Sequence, residues 1–235
     1  MMTQETIDKA YEVDTNDAYV SFLSTFTADY DLLVASILTA WLRNDDKDNF
    51  STISKIVKER LKPTPISFVL NFKDTNEFHD ESLYGNVSEK NFRNLILLIK
   101  KVTTMQNGVK NTYQNYMTSP RHKCKYGHDA MALMFGYNTH FPTTDCKGTF
   151  YRYNLLLYWF VYKFRIWDDV DTSKLLLPCN DFIFQRAKEL GVTKKKMKST
   201  LSNTIKLTRE ARWYYGENEF WKMYELLNFY NHDKK

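Results

Sequence analysis

The chain has 235 residues, 43% of them hydrophobic and 16% aromatic, and carries a formal net charge of +5. That is enough apolar material to bury a sizeable core, which excludes a disordered chain and predicts one full domain or two small lobes around a cleft. Only 7 Gly and 5 Pro occur, so the turn signals of a β-rich fold are scarce and an all-α fold is expected.

No run approaches 18 apolar residues, so no membrane-spanning helix and no membrane partner are expected. Three cysteines, Cys124, Cys146 and Cys179, cannot all pair within one chain, and no signal-peptide pattern opens the sequence as given. A reduced, intracellular, cytoplasmic protein is the expectation. The charge is unevenly spread. Residues 1–118 hold 13 Lys+Arg against 16 Asp+Glu, and residues 119–235 hold 20 against 12. A basic half beside an acidic half suggests a face directed at a polyanion, and an ordinary solvated surface is the bland alternative.

In chain order, residues 1–27 read as a loose polar arm followed by a short helix. Leu32, Leu33, Ala35, Ile37, Leu38, Ala40 and Trp41 make Asp31–Arg43 a buried helix, stopped by Asn44-Asp45-Asp46. A helix over Thr52–Leu61 is broken by Pro63-Thr64-Pro65, and Ile66–Phe72 is one or two helical turns. Residues 73–87 read as a loop. Ser88 is an N-cap for a helix carrying Phe92, Leu95, Ile96, Ile99 and Val102. After Asn107-Gly108, Tyr113–Met117 is helical, then a basic connector, Arg121–Lys125, leads into a helix near His128–Gly136. A loop over Tyr137–Lys147 precedes the most apolar helix, about Thr149–Arg165. Two further helices are expected near Thr193–Glu210 and Arg212–Tyr230. No confident strand is predicted.

The most informative stretch is Ser173–Gly191: an apolar run, Pro178, a polar pair Asn180-Asp181, then a helix with Ile183, Ala187 and Leu190 at helical spacing. The proline can open a helix, and Gly191 stands where a left-handed C-cap is wanted. This pattern resembles the signature segment of the helix-hairpin-helix base-excision DNA glycosylases. There an aspartate follows the proline at the mouth of a helix ending Leu-Gly, and that aspartate is catalytic. The aligned position here is Asn180, with Asp181 one residue on. Upstream, Phe141–Trp159 is a polar, glycine-bearing turn feeding a buried helix, about 30 residues before the proline. It resembles more closely an uncharacterised bacterial family thought to belong to that superfamily, through Lys147, Gly148, Thr149, Arg152, Asn154, Trp159 and Val161. The loop Trp167–Asp171 and the run Lys174–Pro178 match it in character.

The resemblance implies a helix-hairpin-helix glycosylase-like fold, with a central lobe over 88–191 (hairpin 141–154, signature helix 178–191) and a second lobe from 1–87 plus 192–235. It implies a DNA partner, a duplex that carries ordinary or modified bases, gripped through Lys147, Gly148, Thr149 and Arg152. The position of the lysine nucleophile of bifunctional members falls on Tyr151. The catalytic candidates are therefore Asp181, Asn180 and Tyr151. Asparagine can orient water but cannot take its proton at neutral pH, whereas a carboxylate could do so or stabilise positive charge developing on the sugar. Asp181 takes that role only if the helix starts one residue later, which turns its direction by about 100°.

Thr193-Lys194-Lys195-Lys196 would put three cations in the first turn of a helix, against its dipole, a conflict that a bound phosphate would relieve. These lysines join the DNA-binding candidates, with a solvated lysine cluster as the alternative. His122, Cys124, His128, His140 and Cys146 invite a metal reading, but His-x-Cys-x3-His is not a structural zinc spacing, and no metal or other cofactor is expected. Trp159, Phe160 and Phe164 read as core, whereas Trp213, Tyr214 and Tyr215 sit near Arg209 and Arg212 as surface candidates for base stacking. No Walker loop, His-Glu-x-x-His or Gly-x-Ser-x-Gly occurs, which removes the commonest nucleotide hydrolases, zinc proteases and serine hydrolases. The expected function is a DNA-binding, glycosylase-like hydrolase of DNA repair or base modification. A binding module without chemistry, or a helical protein–protein adaptor on the same scaffold, is the alternative.

Overall fold

The computed structural model describes residues 3–13, 17–43, 49–73, 82–84, 87–105, 108–136 and 148–230. Their regular structure is overwhelmingly α-helical: α1 (Gln4–Glu12), α2 (Ala18–Leu23), α3 (Asp29–Leu42), α4 (Phe50–Arg60), α5 (Pro65–Asn71), α6 (Glu89–Thr103), α7 (Gly108–Thr118), α8 (Gly127–Phe135), α9 (Tyr151–Leu157), α10 (Asp181–Glu189), α11 (Leu201–Tyr215) and α12 (Trp221–Phe229). One small antiparallel hairpin, β1 (Ser82–Tyr84) with β2 (Val87–Ser88), interrupts them. The fold is all-α in character.

The core forms where helices are apolar on every side. In α3 every residue from Leu32 to Leu42 is buried, and α2, α4, α5 and α9 pack around it. Local signals set several boundaries as expected. The Ser88 hydroxyl accepts the Asn91 N–H at 3.3 Å to open α6, and Pro65, read in the sequence as a break, also opens α5 behind a Thr64 cap. Gly127, at the start of α8, lies under Tyr113, Leu157 and Leu175. A Cβ there would come within 2.7 Å of the Tyr113 hydroxyl. Bare backbone is thus what lets α7, α9 and the segment before α10 converge.

The structure departs from the sequence reading at five places. The N-terminal arm is helical, capped by Thr3, and α1 packs on α12. The segment expected as a plain loop over 73–87 contains β1 and most of the hairpin. The apolar helix of 149–165 is not one α-helix: α9 passes into a π-helical segment, Tyr158–Lys163, closed by the Phe164 N–H on the Trp159 carbonyl at 2.8 Å. Pro178 does not open α10 but lies in extended chain, and Asn180 is the cap. Finally, α11 starts at Leu201 rather than Thr193 and runs past Arg212 to Tyr215, where Gly216 at φ +79° ends it. Three lysines in a first helical turn would face the positive end of the dipole, and the chain avoids this by starting the helix later.

The π-helical turn has a partner. Glu225 of α12 is buried, and its Oε1 accepts the Tyr158 hydroxyl at 3.0 Å and pairs with the Lys163 ammonium at 2.5 Å. Lys163 also lies over the Tyr158 and Tyr162 rings, 5.7 and 5.6 Å from their centroids. In an α-helix, residues five apart point about 140° away from each other. In a π-helix they are one turn apart and stack. The π geometry is what lets Tyr158 and Lys163 hold one carboxylate. Removing one member of such a buried pair leaves an uncompensated charge. Glu225→Ala is expected to lower unfolding free energy by about 3–5 kcal/mol, read as the shift of a urea midpoint at unchanged slope.

A second buried group sets a pH limit. His128 on α8 is sandwiched between the rings of Tyr126 (5.6 Å, 18°) and Phe150 (4.2 Å, 21°). Phe150 is held at φ +54°, a left-handed backbone that non-glycine residues rarely adopt. Burial pushes the imidazole down to about 4, against the opposing pull of Asp129 and the Asn154 side chain. Between the ordinary histidine value and 4, the unfolded chain binds a proton that the folded one refuses, so stability falls as pH falls. The loss reaches about 3 kcal/mol by pH 4. His128→Phe keeps the ring stack and is expected to flatten the melting temperature between pH 7 and 4 relative to wild type.

Candidate nucleic-acid interface

The signature segment is built inward first. Leu175, Leu176, Leu177 and Cys179 are buried, and the Leu177 N–H donates to the Thr208 hydroxyl of α11 at 3.0 Å. That hydroxyl in turn donates to the Thr204 carbonyl at 2.8 Å, so the extended run before α10 is fastened along α11. Cys179 faces this seam beside Thr204, and burial holds its thiol well above the usual cysteine range. It is an inert packing residue rather than a nucleophile.

Asn180 and Asp181 then diverge. Asn180 is buried, and its Oδ1 accepts the Ile183 N–H at 2.9 Å, closing the first turn of α10. Asp181 is the first helical residue and is exposed, and its Oδ1 accepts the Ser199 hydroxyl at 2.5 Å. Starting α10 at Asp181 thus gives the two residues different jobs: the amide holds the helix and the carboxylate faces outward. Phe182 beside it is 48% exposed.

Ser199 closes a loop that begins at the C-terminus of α10. Gly191 adopts φ +69°, as the sequence required, with its N–H on the Lys188 carbonyl and the Thr193 N–H on that of Ala187. The loop is pinned further by Thr193 Oγ1 donating to the Lys195 carbonyl at 3.0 Å and Asn203 Nδ2 donating to that of Lys198 at 2.8 Å. Lys194, Lys195, Lys196 and Lys198 are exposed and, with Lys206 of α11, line a concavity of about 620 Å³. Glu210 is the single carboxylate in its wall. Along α11 a shallower hollow of about 470 Å³ continues past Ser202, Lys206 and Arg209. Five ammonium groups around one carboxylate is an arrangement that attracts a multiply charged anion.

The upstream candidates go elsewhere. Lys147 lies outside the described residues, as do His140 and Cys146. Gly148 is half-buried and Thr149 buried, and the Thr149 carbonyl accepts Asn154 Nδ2 at 3.1 Å. Asn154, an anchor of the family resemblance, therefore holds the turn that enters α9. Arg152 reaches α3: its Nε donates to the Ala40 carbonyl at 3.1 Å and Nη2 to that of Arg43 at 2.7 Å. It caps the C-terminus of the core helix, where a cation is favoured. Tyr151 is half-buried beside Tyr224 of α12, whose phenol is held well above its ordinary range by burial and by the Tyr151 neighbour. Of the ten candidates, the structure joins Asn180, Asp181 and Lys194–Lys196 around one loop. The hairpin residues that it describes are packed into the protein.

Among the other metal candidates, His122 sits edge-on to Tyr116 at 4.7 Å, His128 lies in its aromatic sandwich and Cys124 is half-buried. No three His, Cys, Asp or Glu side chains converge among the described residues. Nor is any helix among them long and apolar enough to cross a membrane.

A family described as "Protein of unknown function (DUF2400)" matches residues 19–215. The chain belongs to this family. The match runs from the second residue of α2 to the last of α11, so it takes in the signature segment, the lysine loop and the basic face of α11. Comparison with curated proteins and with solved structures finds no match.

Two substitutions test the helix cap that Asn180 provides. Asn180→Ala removes the cap and is expected to cost about 1 kcal/mol, whereas Asn180→Asp, equally able to accept the Ile183 N–H, is expected to melt within a degree or two of wild type at pH 7.

Proposed function

We propose that this protein binds DNA on the lysine-lined face of the α10–α11 loop and acts on, or recognises, a modified or damaged base extruded from the duplex. One observation carries the reading. An outward carboxylate at the mouth of α10, Asp181, is hydrogen-bonded through Ser199 to the loop whose lysines line the concavity. A phosphate grip and an acid–base group thus share one piece of chain. Each duplex strand carries one phosphate per about 3.4 Å of helix axis, so a cluster of lysines on one loop can meet more than one phosphate. The extruded nucleoside would then meet Asp181 on its sugar side. There the carboxylate would take a proton from water attacking the sugar carbon, or stabilise positive charge on the ring, as the N-glycosidic bond breaks and the base leaves with the bonding pair. The glycosylase-like resemblance of residues 146–191 supports the same chemistry.

A second reading keeps the grip and drops the chemistry. It is favoured by Asn180, whose carbonyl oxygen is engaged in the helix cap, and by the Asp181 oxygen already accepting from Ser199.

The test is binding and base release on one set of duplexes bearing uracil, oxidised, alkylated or hydroxymethylated bases. Wild type is expected to bind with an affinity that falls steeply with salt, and Lys194, Lys195 and Lys196 changed together to Ser are expected to reduce that log–log slope by up to about 3. Abasic sites formed by wild type and lost in Asp181→Asn, with affinity unchanged, establish the enzyme. Release only by Asn180→Asp marks an intact pocket lacking one carboxylate. Salt-sensitive binding with no release by any variant leaves the binding module. Salt-insensitive, weak binding would refute the DNA reading altogether.

A further inference from the structure

Five tryptophans occur, and four of them, Trp41, Trp159, Trp167 and Trp221, are no more than 2% exposed. The fifth, Trp213, is 84% exposed. Single exposed apolar residues are ordinary, but an indole this free is not, because tryptophan has the most area to gain by burial. Its position is the informative part. Ser202, Lys206, Arg209 and Trp213 follow one another on α11 at spacings of four, three and four residues, which places them on one helical face. Three are charged or aromatic side chains, and all four are exposed. The adjacent Arg212 points the other way: its Nη2 donates to the Thr172 and Leu175 carbonyls and its Nε pairs with Glu217. The exposed stripe starts at the wall of the lysine concavity, since Lys206 lines both hollows, and ends at the indole.

We propose that Trp213 is a stacking platform for an unpaired base, at the end of a cationic track that runs from the lysine loop along α11. The occupant is a single-stranded or locally opened stretch of nucleic acid. Lys206 and Trp213 are seven residues apart, about 10 Å along a helix axis, a short span within a single-strand site of roughly 4–16 nucleotides. Phosphates on Lys206 and Arg209 therefore leave the next base within reach of the indole. Every base has a π face, so such a platform accepts unpaired bases without regard to sequence. A fully paired duplex offers a base face only at its two ends. This inference rests on the DNA-binding reading and sharpens it: the protein prefers strands that are open, and Trp213 is what reads the opening.

The exposed indole reports on itself, because the other four are shielded. The probes are an oligo(dT) strand of about twelve nucleotides, within the range of known single-strand sites, a blunt duplex of equal charge, and heparin, which supplies charge without bases. Oligo(dT) is expected to quench the red-edge emission of Trp213, and heparin to bind without quenching it. Trp213→Ala is expected to weaken oligo(dT) binding about tenfold or more, leaving heparin affinity, the salt slope and the melting temperature unchanged. Trp213→Phe should recover part of the loss. Oligo(dT) binding that neither quenches the indole nor responds to Trp213→Ala overturns the platform and leaves phosphate binding by the lysine loop standing. If no polyanion binds in a salt-sensitive way, the platform and the DNA-binding reading fall together.

Discussion

The structure hinges on a carboxylate that cannot reach water. Glu225 lies inside the protein, and the hydroxyl of Tyr158 and the ammonium of Lys163, with Lys222 at 3.6 Å on the other oxygen, make its charge tolerable there. Burying an ion without such partners costs several kcal/mol, so the helix that follows Tyr151 gives up its regular hydrogen bonding to place both groups on one side. The consequence reaches further than the pair. Helix α12, which carries Glu225, is the surface against which α1, α10 and α11 all pack. The two helices that frame the lysine loop are therefore registered, through α12, to the central apolar segment of the fold.

Polar groups around the lysine loop are arranged by the same economy of hydrogen bonds. Thr208 joins Leu177 to α11, Asn180 closes the first turn of α10, Asn203 holds the Lys198 carbonyl and Ser199 reaches Asp181. Each is a short side chain that satisfies a group at a helix end or in a turn. Together they make the segment from Leu175 to Leu201 a fixed frame, although much of it lies outside regular helix. The lysines can then stand around one concavity despite mutual repulsion, because the backbone beneath them is pinned at both ends. The arginines illustrate the opposite use of positive charge. Arg152 and Arg212 turn inward to backbone carbonyls of α3 and of the segment before α10. Arg209 stays on the surface. Composition records all of them alike.

Much of the scaffold was legible from periodicity and capping. The apolar run of Leu32–Leu42, the Ser88 cap and the Gly191 stop are local events, decided within a few residues of chain by burial stripes, side-chain caps and left-handed backbone. The signature pair was also visible, since a polar residue after an apolar run and before a periodic one marks a helix mouth. Its division of labour was not. Whether Asn180 or Asp181 caps the helix depends on where the extended run is fastened, and Thr208, 31 residues away, fastens it. The failure at Arg152 is of the same kind: nothing adjacent in sequence shows that Ala40 and Arg43 end a helix beside it.

The amino-acid sequence by itself therefore determined an all-α protein with a basic C-terminal half, a buried central helix and a helix mouth bearing Asn180-Asp181, because each depends on near neighbours and on composition. Only the tertiary structure decided which cations are free and which are caps. It also decided that the apolar helix would take a π turn, that three lysines would leave α11 for a loop, and that one tryptophan of five would stay in solvent. Those outcomes are set by contacts between residues far apart in the chain. A buried carboxylate, an unpaired carbonyl or an open wall exerts its effect only once the helices have met.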